Sequence, residues 1–134
     1  MKNPFLFDSY ALLAFFQNEQ GSTIVRDVLK NATQNKEQRL INVINLGEII
    51  YLTLRRFGDQ KKMEVLSRIH QIGFTILSAP DELVFQAAEL KAVYSISFAD
   101  CFALASAIQH SATILTGDPE FRMVEHLATI KWIR

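Results

Sequence analysis

The sequence predicts a three-layer α/β fold, in which a central five-stranded parallel sheet is flanked by helices. Short apolar runs alternate along the chain with longer segments whose apolar residues recur at helical spacing. Such alternation favours right-handed crossovers and therefore parallel strands covered on both faces. Hydrophobic residues make up 49% of the 134 residues and charged residues 21%, which favours one well-filled domain over residues 1–134.

The predicted elements follow one another from the first strand to a closing strand. The predicted strands are residues 5–7, 39–44, 74–77, 113–116 and 129–133. The predicted helices are residues 9–17, 22–31, 45–57, 59–72, a segment that opens at 80–82, 97–109 and a short one at 119–125. Polar residues predict a loop at 33–38, and Asp59 is the predicted N-cap of its helix.

Composition restricts the possible environment and partners. The longest apolar runs are far shorter than the roughly 20 residues needed to span a bilayer, so no membrane association is expected. The single cysteine, Cys101, cannot form an internal disulfide, and a cytoplasmic location is the simplest expectation. Fourteen basic residues balance fourteen acidic ones, so global charge gives no support to nucleic-acid binding.

Four acidic residues occupy positions where parallel sheets bind ligands. Such sites lie beyond the carboxyl ends of the strands, at the start of the following helices. The four residues are Asp8 after the first strand, Glu48 beyond the second, Asp100 in the first turn of the 97–109 helix and Asp118 after the fourth strand. They are therefore candidates for a common site.

Each acid also has a purely structural interpretation. Asp8 suits a helix N-cap, and Asp118 before Pro119 matches an N-cap followed by proline. Asp100 fits an acidic capping box with Ser97, and Glu48 suits the positive end of a helix dipole. Taken singly, none of the four requires a function.

The combination favours a metal site. Asp100 and Glu48 stand among apolar residues, where a carboxylate is unfavourable unless it is paired or bound to metal. Four converging acids would also repel one another without a cation. Carboxylate oxygens prefer Mg²⁺ or Mn²⁺ to zinc, and these ions activate water and stabilise charge on phosphoryl groups. The sequence therefore predicts nuclease chemistry at this edge of the sheet.

The chain also resembles a known family. Four segments are similar, in order, to the successive motifs of PIN domains, and especially to the VapC-type toxins of prokaryotic toxin–antitoxin pairs. These segments are residues 8–13 after the first apolar strand, 46–51 (LGEIIY), 97–105 (SFADCFALA) and 114–121 (ILTGDPEF). The similarity covers essentially the whole chain.

This resemblance implies a metal-dependent endoribonuclease. By motif, Asp8, Glu48, Asp100 and Asp118 correspond to the acidic residues that hold Mg²⁺ or Mn²⁺ and support catalysis. Ser9 and Thr116 stand where the family often places a hydroxyl, although a helix-start serine and a strand-end threonine explain them equally well. The family also implies a homodimer and an antitoxin that wraps the toxin and blocks its site.

The substrate is less well defined by the sequence. Many relatives are basic and this chain is neutral; its densest basic cluster is Arg55, Arg56, Lys61 and Lys62. Arg55 and Arg56 are candidate contacts to RNA phosphates, and a solvated helix end is the competing interpretation. The motifs do not distinguish RNA from DNA, or one metal ion from two.

Two other function classes compete with the nuclease. A PIN-like module that binds RNA or protein without catalysis would need no complete acid set, which argues against it. A response-regulator phosphoacceptor domain would need an acidic pair near the first strand and a lysine after the last, and neither is evident.

Overall fold

The computed structural model describes residues 3–134, which form one five-stranded sheet. The strands are β1 (Phe5–Phe7), β2 (Arg39–Asn42), β3 (Thr75–Leu77), β4 (Thr113–Thr116) and β5 (Ile130–Trp132). Their order across the sheet is β3-β2-β1-β4-β5, and every neighbouring pair is parallel. The predicted α/β class and five-stranded parallel sheet are confirmed.

Six α-helices cover the sheet. They are α1 (Ser9–Phe16), α2 (Ser22–Asn35), α3 (Val43–Phe57), α4 (Asp59–Ile72), α5 (Asp81–Val93) and α6 (Phe98–His110), and a 3-10 helix spans Pro119–Val124. The chain runs outward from the central β1 to β3 and then returns to β4 on the other side of β1. The connections therefore reverse direction between β1 and β4, which is where parallel sheets form ligand sites.

Neighbouring residues of each strand point to opposite faces and create two core layers. Leu6 of β1 packs with α5 and α6, whereas Phe7 packs with the layer formed by α1 to α4. Eight consecutive residues of α6, from 100 to 107, are buried, and this helix packs across β1, β2 and β4. Because Asp100 is the first of these residues, the core fixes it at the carboxyl edge of the sheet.

Several predicted boundaries were wrong, for local reasons. Helix α2 continues to Asn35 instead of ending at 31, and it ends where Lys36 adopts a left-handed φ of 56°. The first half of the predicted loop at 33–38 is therefore helix; the Thr33 hydroxyl donates back to the Leu29 carbonyl at 3.0 Å. Strand β2 ends at Asn42 rather than 44, because the Asn42 side chain caps α3 by accepting from the Ile44 N–H at 2.8 Å.

Smaller differences concern helix starts and helix type. Gly58, not Asp59, is the N-cap of α4, and Asp59 instead pairs with Lys62 at 3.1 Å. The short helix after β4 is a 3-10 helix rather than an α-helix. Within residues 3–134, no single helix has the length and apolar character to cross a membrane; only α5 and α6 together would, and they are bent by 119°.

Candidate metal centre

The Asp8 carboxylate is held from two sides at the end of β1. Its Oδ1 accepts a hydrogen bond from the Ala11 N–H at 2.8 Å, so Asp8 is the predicted N-cap of α1. Its Oδ2 accepts a hydrogen bond from the Thr116 hydroxyl on the neighbouring strand. Asp8 is buried, with 1% of its surface exposed. The same carboxylate therefore caps α1 and lies at the end of β1, where the site was predicted.

Thr116 also organises the segment that follows β4. Its Oγ1 accepts from the Asp118 N–H at 3.0 Å, while Asp118 Oδ1 accepts from the Glu120 N–H at 3.0 Å. Asp118 is therefore the N-cap of the 3-10 helix, with Pro119 at its first position, as predicted. This chain of hydrogen bonds couples the positions of Asp8 and Asp118.

Asp100 lies at the start of α6 and is 5% exposed. Its N–H donates to the Ser97 hydroxyl at 3.1 Å, which confirms one half of the predicted capping box. The other half is supplied by a different acid, because the Ser97 N–H donates to Glu120 Oε1 at 3.0 Å. Asp100 Oδ2 is buried and has no hydrogen-bond partner among the described residues.

Glu48 approaches the site from α3. Its Oε1 accepts from the Ser9 hydroxyl at 2.8 Å, and the Asn45 amide lies 3.5 Å from the same oxygen. The Asn45 amide also donates to the Ala99 carbonyl at 3.2 Å, which links the start of α3 to the start of α6. Asn45, which the sequence did not single out, is therefore a positioning residue for Glu48.

The tightest acidic group in the described chain contains one unexpected member. Ligand oxygens of Asp100, Asp118 and Glu120 lie within 4.8 Å of one another, whereas Asp8 and Glu48 fall outside this group. Glu120 was missed because it resembled an ordinary first-turn acid of a short helix. Its spacing of two residues from Asp118 was the available signal, since the N-cap turn brings both side chains to the same edge.

Electrostatic effects show that the four predicted acids are nonetheless close together. Burial raises the pKa of Asp100 to about 9; the close Asp118 carboxyl, with which only a protonated Asp100 can hydrogen-bond, and charge repulsion from Asp118 and Asp8 add to the effect. Burial likewise raises the pKa of Asp8 to about 7, with repulsion from Asp118 and Glu48 adding to it. The hydrogen bonds from Thr116 and Ala11 to Asp8 act in the opposite direction. None of the residues that shift these two pKa values is basic.

The donor set fits a hard divalent cation. It contains only carboxylate oxygens, with nearby hydroxyls from Ser9 and Thr116, and it includes the unpartnered Asp100 Oδ2. Oxygen donors of this kind match Mg²⁺ or Mn²⁺ and offer no nitrogen or sulfur for zinc. A cation would also remove the repulsion that raises the two pKa values.

The basic cluster predicted on α3 and α4 is divided. Lys61 and Lys62 form ion pairs with Glu64 and Asp59 within α4, at 3.8 and 3.1 Å. By contrast, Arg55 and Arg56 line a groove between α1 and α3. Arg56 donates to Gln17 Oε1 at 3.0 Å, and its other guanidinium N–H groups remain potential donors. Only the two arginines are therefore placed to serve a ligand in that groove.

One comparison with known proteins identifies a family. The sequence matches the PIN domain family over residues 5–127. No curated protein sequence is significantly similar to the chain.

Solved structures with the same fold have low sequence identity to the chain. One is VapBC2 from Rickettsia felis bound to a DNA fragment of its promoter, with a TM-score of 0.77 and 15% identity over 95% of this chain and 96% of that one. DNA-bound VapBC from Salmonella typhimurium has a TM-score of 0.77 and 14% identity, over 99% of this chain and 100% of that one. VapC20 from Mycobacterium tuberculosis is a toxin that cleaves the sarcin–ricin loop. Its TM-score is 0.72 and its identity 16%, over 90% of this chain and 94% of that one.

Proposed function

Because the chain belongs to the PIN domain family, we propose that it is a metal-dependent endoribonuclease and the toxin of a toxin–antitoxin pair. The observation that carries this proposal is the buried, unpartnered Asp100 Oδ2 within a group of like-charged carboxylates. A protein gains little stability from such an arrangement unless a cation completes it.

We assign the predicted acids to the metal and the reaction together. Asp8, Glu48, Asp100 and Asp118 would hold Mg²⁺ or Mn²⁺, and Glu120 joins them through its closeness to Asp100 and Asp118. A bound ion would supply positive charge that stabilises the phosphoryl group and favours ionisation of the attacking water. The α1 N-cap and the Thr116 hydroxyl fix both oxygens of Asp8, so its carboxylate needs little reorganisation when the ion binds.

Cleavage by the purified protein tests the proposal. Total RNA and a single-stranded DNA of matched length are incubated with Mg²⁺, Mn²⁺ or EDTA. Discrete RNA fragments that require the metal are expected, and DNA should remain intact. Metal binding without cleavage of any RNA would contradict the nuclease and favour a PIN-like binding module, and cleavage that persists in EDTA would contradict the metal.

Thr116→Val should weaken metal binding by roughly 10- to 100-fold, the usual effect of losing a residue that supports a ligand. The variant removes the hydroxyl that donates to Asp8 and accepts from the Asp118 N–H. Thr116→Ser keeps the hydroxyl and should restore most of the affinity. Calorimetric titration with Mn²⁺ measures both; equal affinities for the valine and serine variants would contradict this positioning role.

A second groove suits the antitoxin. It has a volume of about 880 Å³ and lies between α1, α2 and α4. Its wall combines aromatic rings with basic side chains, because the Arg68 guanidinium lies 5.8 and 6.0 Å from the Phe15 and Phe16 rings, and Met63 is 60% exposed beside them. We assign this groove to an antitoxin segment with apolar and acidic side chains.

Met63→Glu should abolish or strongly weaken the antitoxin complex, because it places a charge in the apolar part of this groove. Because Met63 is exposed, the substitution should leave the fold intact, and a lost complex then reports on the groove. Co-purification with the co-expressed cognate antitoxin is the measurement, and Met123→Glu, at an exposed methionine outside the groove, is the matched control. Normal co-purification of Met63→Glu would assign the antitoxin elsewhere.

We also propose that the chain forms a homodimer through exposed apolar residues of α5 and α6. Phe85 and Val93 of α5 and Phe98 of α6 are 64%, 73% and 45% exposed. Helices α5 and α6 thus present three large apolar side chains to solvent, and exposed apolar surface marks interaction sites. Light scattering on the purified chain should give twice the 15.3 kDa monomer mass, and a strictly monomeric protein would contradict the dimer.

A further inference from the structure

A groove with a volume of about 650 Å³ lies between α1 and α3. Its wall includes Tyr10, Leu13 and Leu52, which are apolar or aromatic, and Arg55 and Arg56, which are basic. The mechanism described above does not use Tyr10 or the two leucines. This combination of an aromatic ring, apolar side chains and guanidinium groups is typical of sites for single-stranded nucleic acid.

The groove is continuous with the acidic site through two helices. Tyr10 follows Ser9, whose hydroxyl holds Glu48 at 2.8 Å. Leu52 and Arg55 lie one and two helical turns beyond Glu48, so they face the same side of α3. Arg55 is thus roughly 10 Å along the helix from the acidic residue. A strand whose phosphate lies at the carboxylates can therefore extend into this groove.

The Tyr10 ring is held in one position. A methyl group at Gly117 would overlap this ring, so the absence of a side chain at Gly117 is what allows Tyr10 to lie against the Thr116–Asp118 segment. The Arg134 guanidinium donates to the Tyr10 hydroxyl at 2.6 Å and lies 6.0 Å from the ring centroid. The half-exposed ring is therefore preorganised beside the acidic site, with a cation at its hydroxyl end.

We propose that Tyr10 is a stacking platform for a nucleobase of single-stranded RNA next to the cleaved phosphate, and that Arg55, Arg56 and Arg134 hold the flanking phosphates. This assignment rests on the proposed ribonuclease function. A chain of zero net charge still presents local positive charge here, because Arg55 and Arg56 line the groove beside the single acid Glu19, and Arg134 lies at the Tyr10 hydroxyl. Stacking tolerates every base, so the platform contributes affinity and register rather than a strict sequence preference.

Binding measured without turnover tests the platform separately from catalysis. Anisotropy of a labelled single-stranded RNA at low salt, with Ca²⁺ in place of the catalytic ion, gives the Kd of the wild type, Tyr10→Leu and Tyr10→Phe. Tyr10→Leu should weaken binding by roughly 5- to 150-fold, the range for loss of one stacked base. Tyr10→Phe keeps the ring and should stay within about 3-fold of the wild type, because only the Arg134 hydrogen bond is lost.

A second series of RNAs separates stacking from a general structural effect. A single abasic nucleotide is moved along the RNA, and the position that weakens binding to the wild type should have no further effect on Tyr10→Leu. Equal abasic penalties in both proteins, or equal losses for the phenylalanine and leucine variants, would overturn the platform. If Tyr10-dependent stacking is found and no RNA is cleaved, the ribonuclease fails and the subsite stands; if RNA is cleaved and Tyr10 has no effect, the reverse holds.

Discussion

Asp100→Asn should reduce RNA cleavage by more than the roughly 10- to 100-fold typical for loss of a residue that only supports a metal ligand. Asp100 contributes to the tight group with Asp118 and Glu120, and its Oδ2 is the buried oxygen left without a partner. An amide in its place has one neutral oxygen and cannot replace a carboxylate toward Mg²⁺ or Mn²⁺. The cleavage rate at saturating metal is the measurement.

Loss of folding would not explain this result. The hydrogen bond that caps α6 is made by the Asp100 backbone N–H to Ser97, and the substitution leaves it in place. Asp81→Asn is the matched control, since Asp81 is an exposed acid in the first turn of α5, outside the acidic site. Asp81→Asn should cleave at the wild-type rate. Wild-type cleavage by Asp100→Asn would remove the central residue of the proposed site.

Glu120 differs from Asp8 and Asp118 in how well the sequence reports its place in the site. Sequence patterns identify an acid well when it follows an apolar strand, as Asp8 and Asp118 do, because the parallel sheet then determines its position. Glu120 depends on a turn whose geometry is set by the Asp118 cap and by its own bond to the Ser97 N–H. That second contact joins residues 23 positions apart, and no local pattern reports it.

The fold was predictable for a similar reason, and its boundaries were not. Alternating strand and helix patterns define the parallel sheet, since few other architectures bury both faces of such strands. The exact ends depend on individual side chains. Asn42 caps α3 and so ends β2 two residues early, and the Thr33 hydroxyl bonds back within α2, where a polar stretch was predicted to be a loop. Such side-chain to backbone hydrogen bonds have energies similar to the helix and strand propensities, so they can move the end of an element by a few residues.

The capping contacts of Asp8 and Asp118 explain why these two residues were ambiguous when taken singly. Asp8 and Asp118 are N-caps, as their structural interpretation required; Asp118 also belongs to the tight group with Asp100 and Glu120, and repulsion from Asp118 reaches Asp8. Asp118 uses only its Oδ1 for the cap, and Asp8 accepts one hydrogen bond on each oxygen, so every one of these oxygens keeps a lone pair for a ligand. Capping and ligand binding are therefore compatible at these positions, and finding the cap does not argue against the site.

The metal-free protein should become less stable as the pH rises from about 6 to about 8. The pKa of Asp100 is about 9 and that of Asp8 about 7 in the folded chain, and both have an ordinary value of 3.8. Between the ordinary and folded values, the folded state keeps protons that the unfolded state has lost. This contribution to stability is complete below the ordinary pKa and is lost as the pH rises through the folded values.

The expected loss is roughly 4 kcal/mol over this range, since one proton difference changes the free energy of unfolding by roughly 1.4 kcal/mol per pH unit, and Asp100 differs by a proton across both units and Asp8 across about one. Asp100→Asn removes the group with the higher pKa, so in EDTA the variant should be more stable than the wild type at pH 8, with a shallower pH dependence. Added Mn²⁺ should reverse the order, because binding to the folded state stabilises only the chain that keeps its carboxylate. Urea unfolding of the wild type and of Asp100→Asn, each in EDTA and in Mn²⁺, measures the four free energies of unfolding. A variant less stable than the wild type in EDTA at pH 8 would show that Asp100 serves the fold rather than a cation.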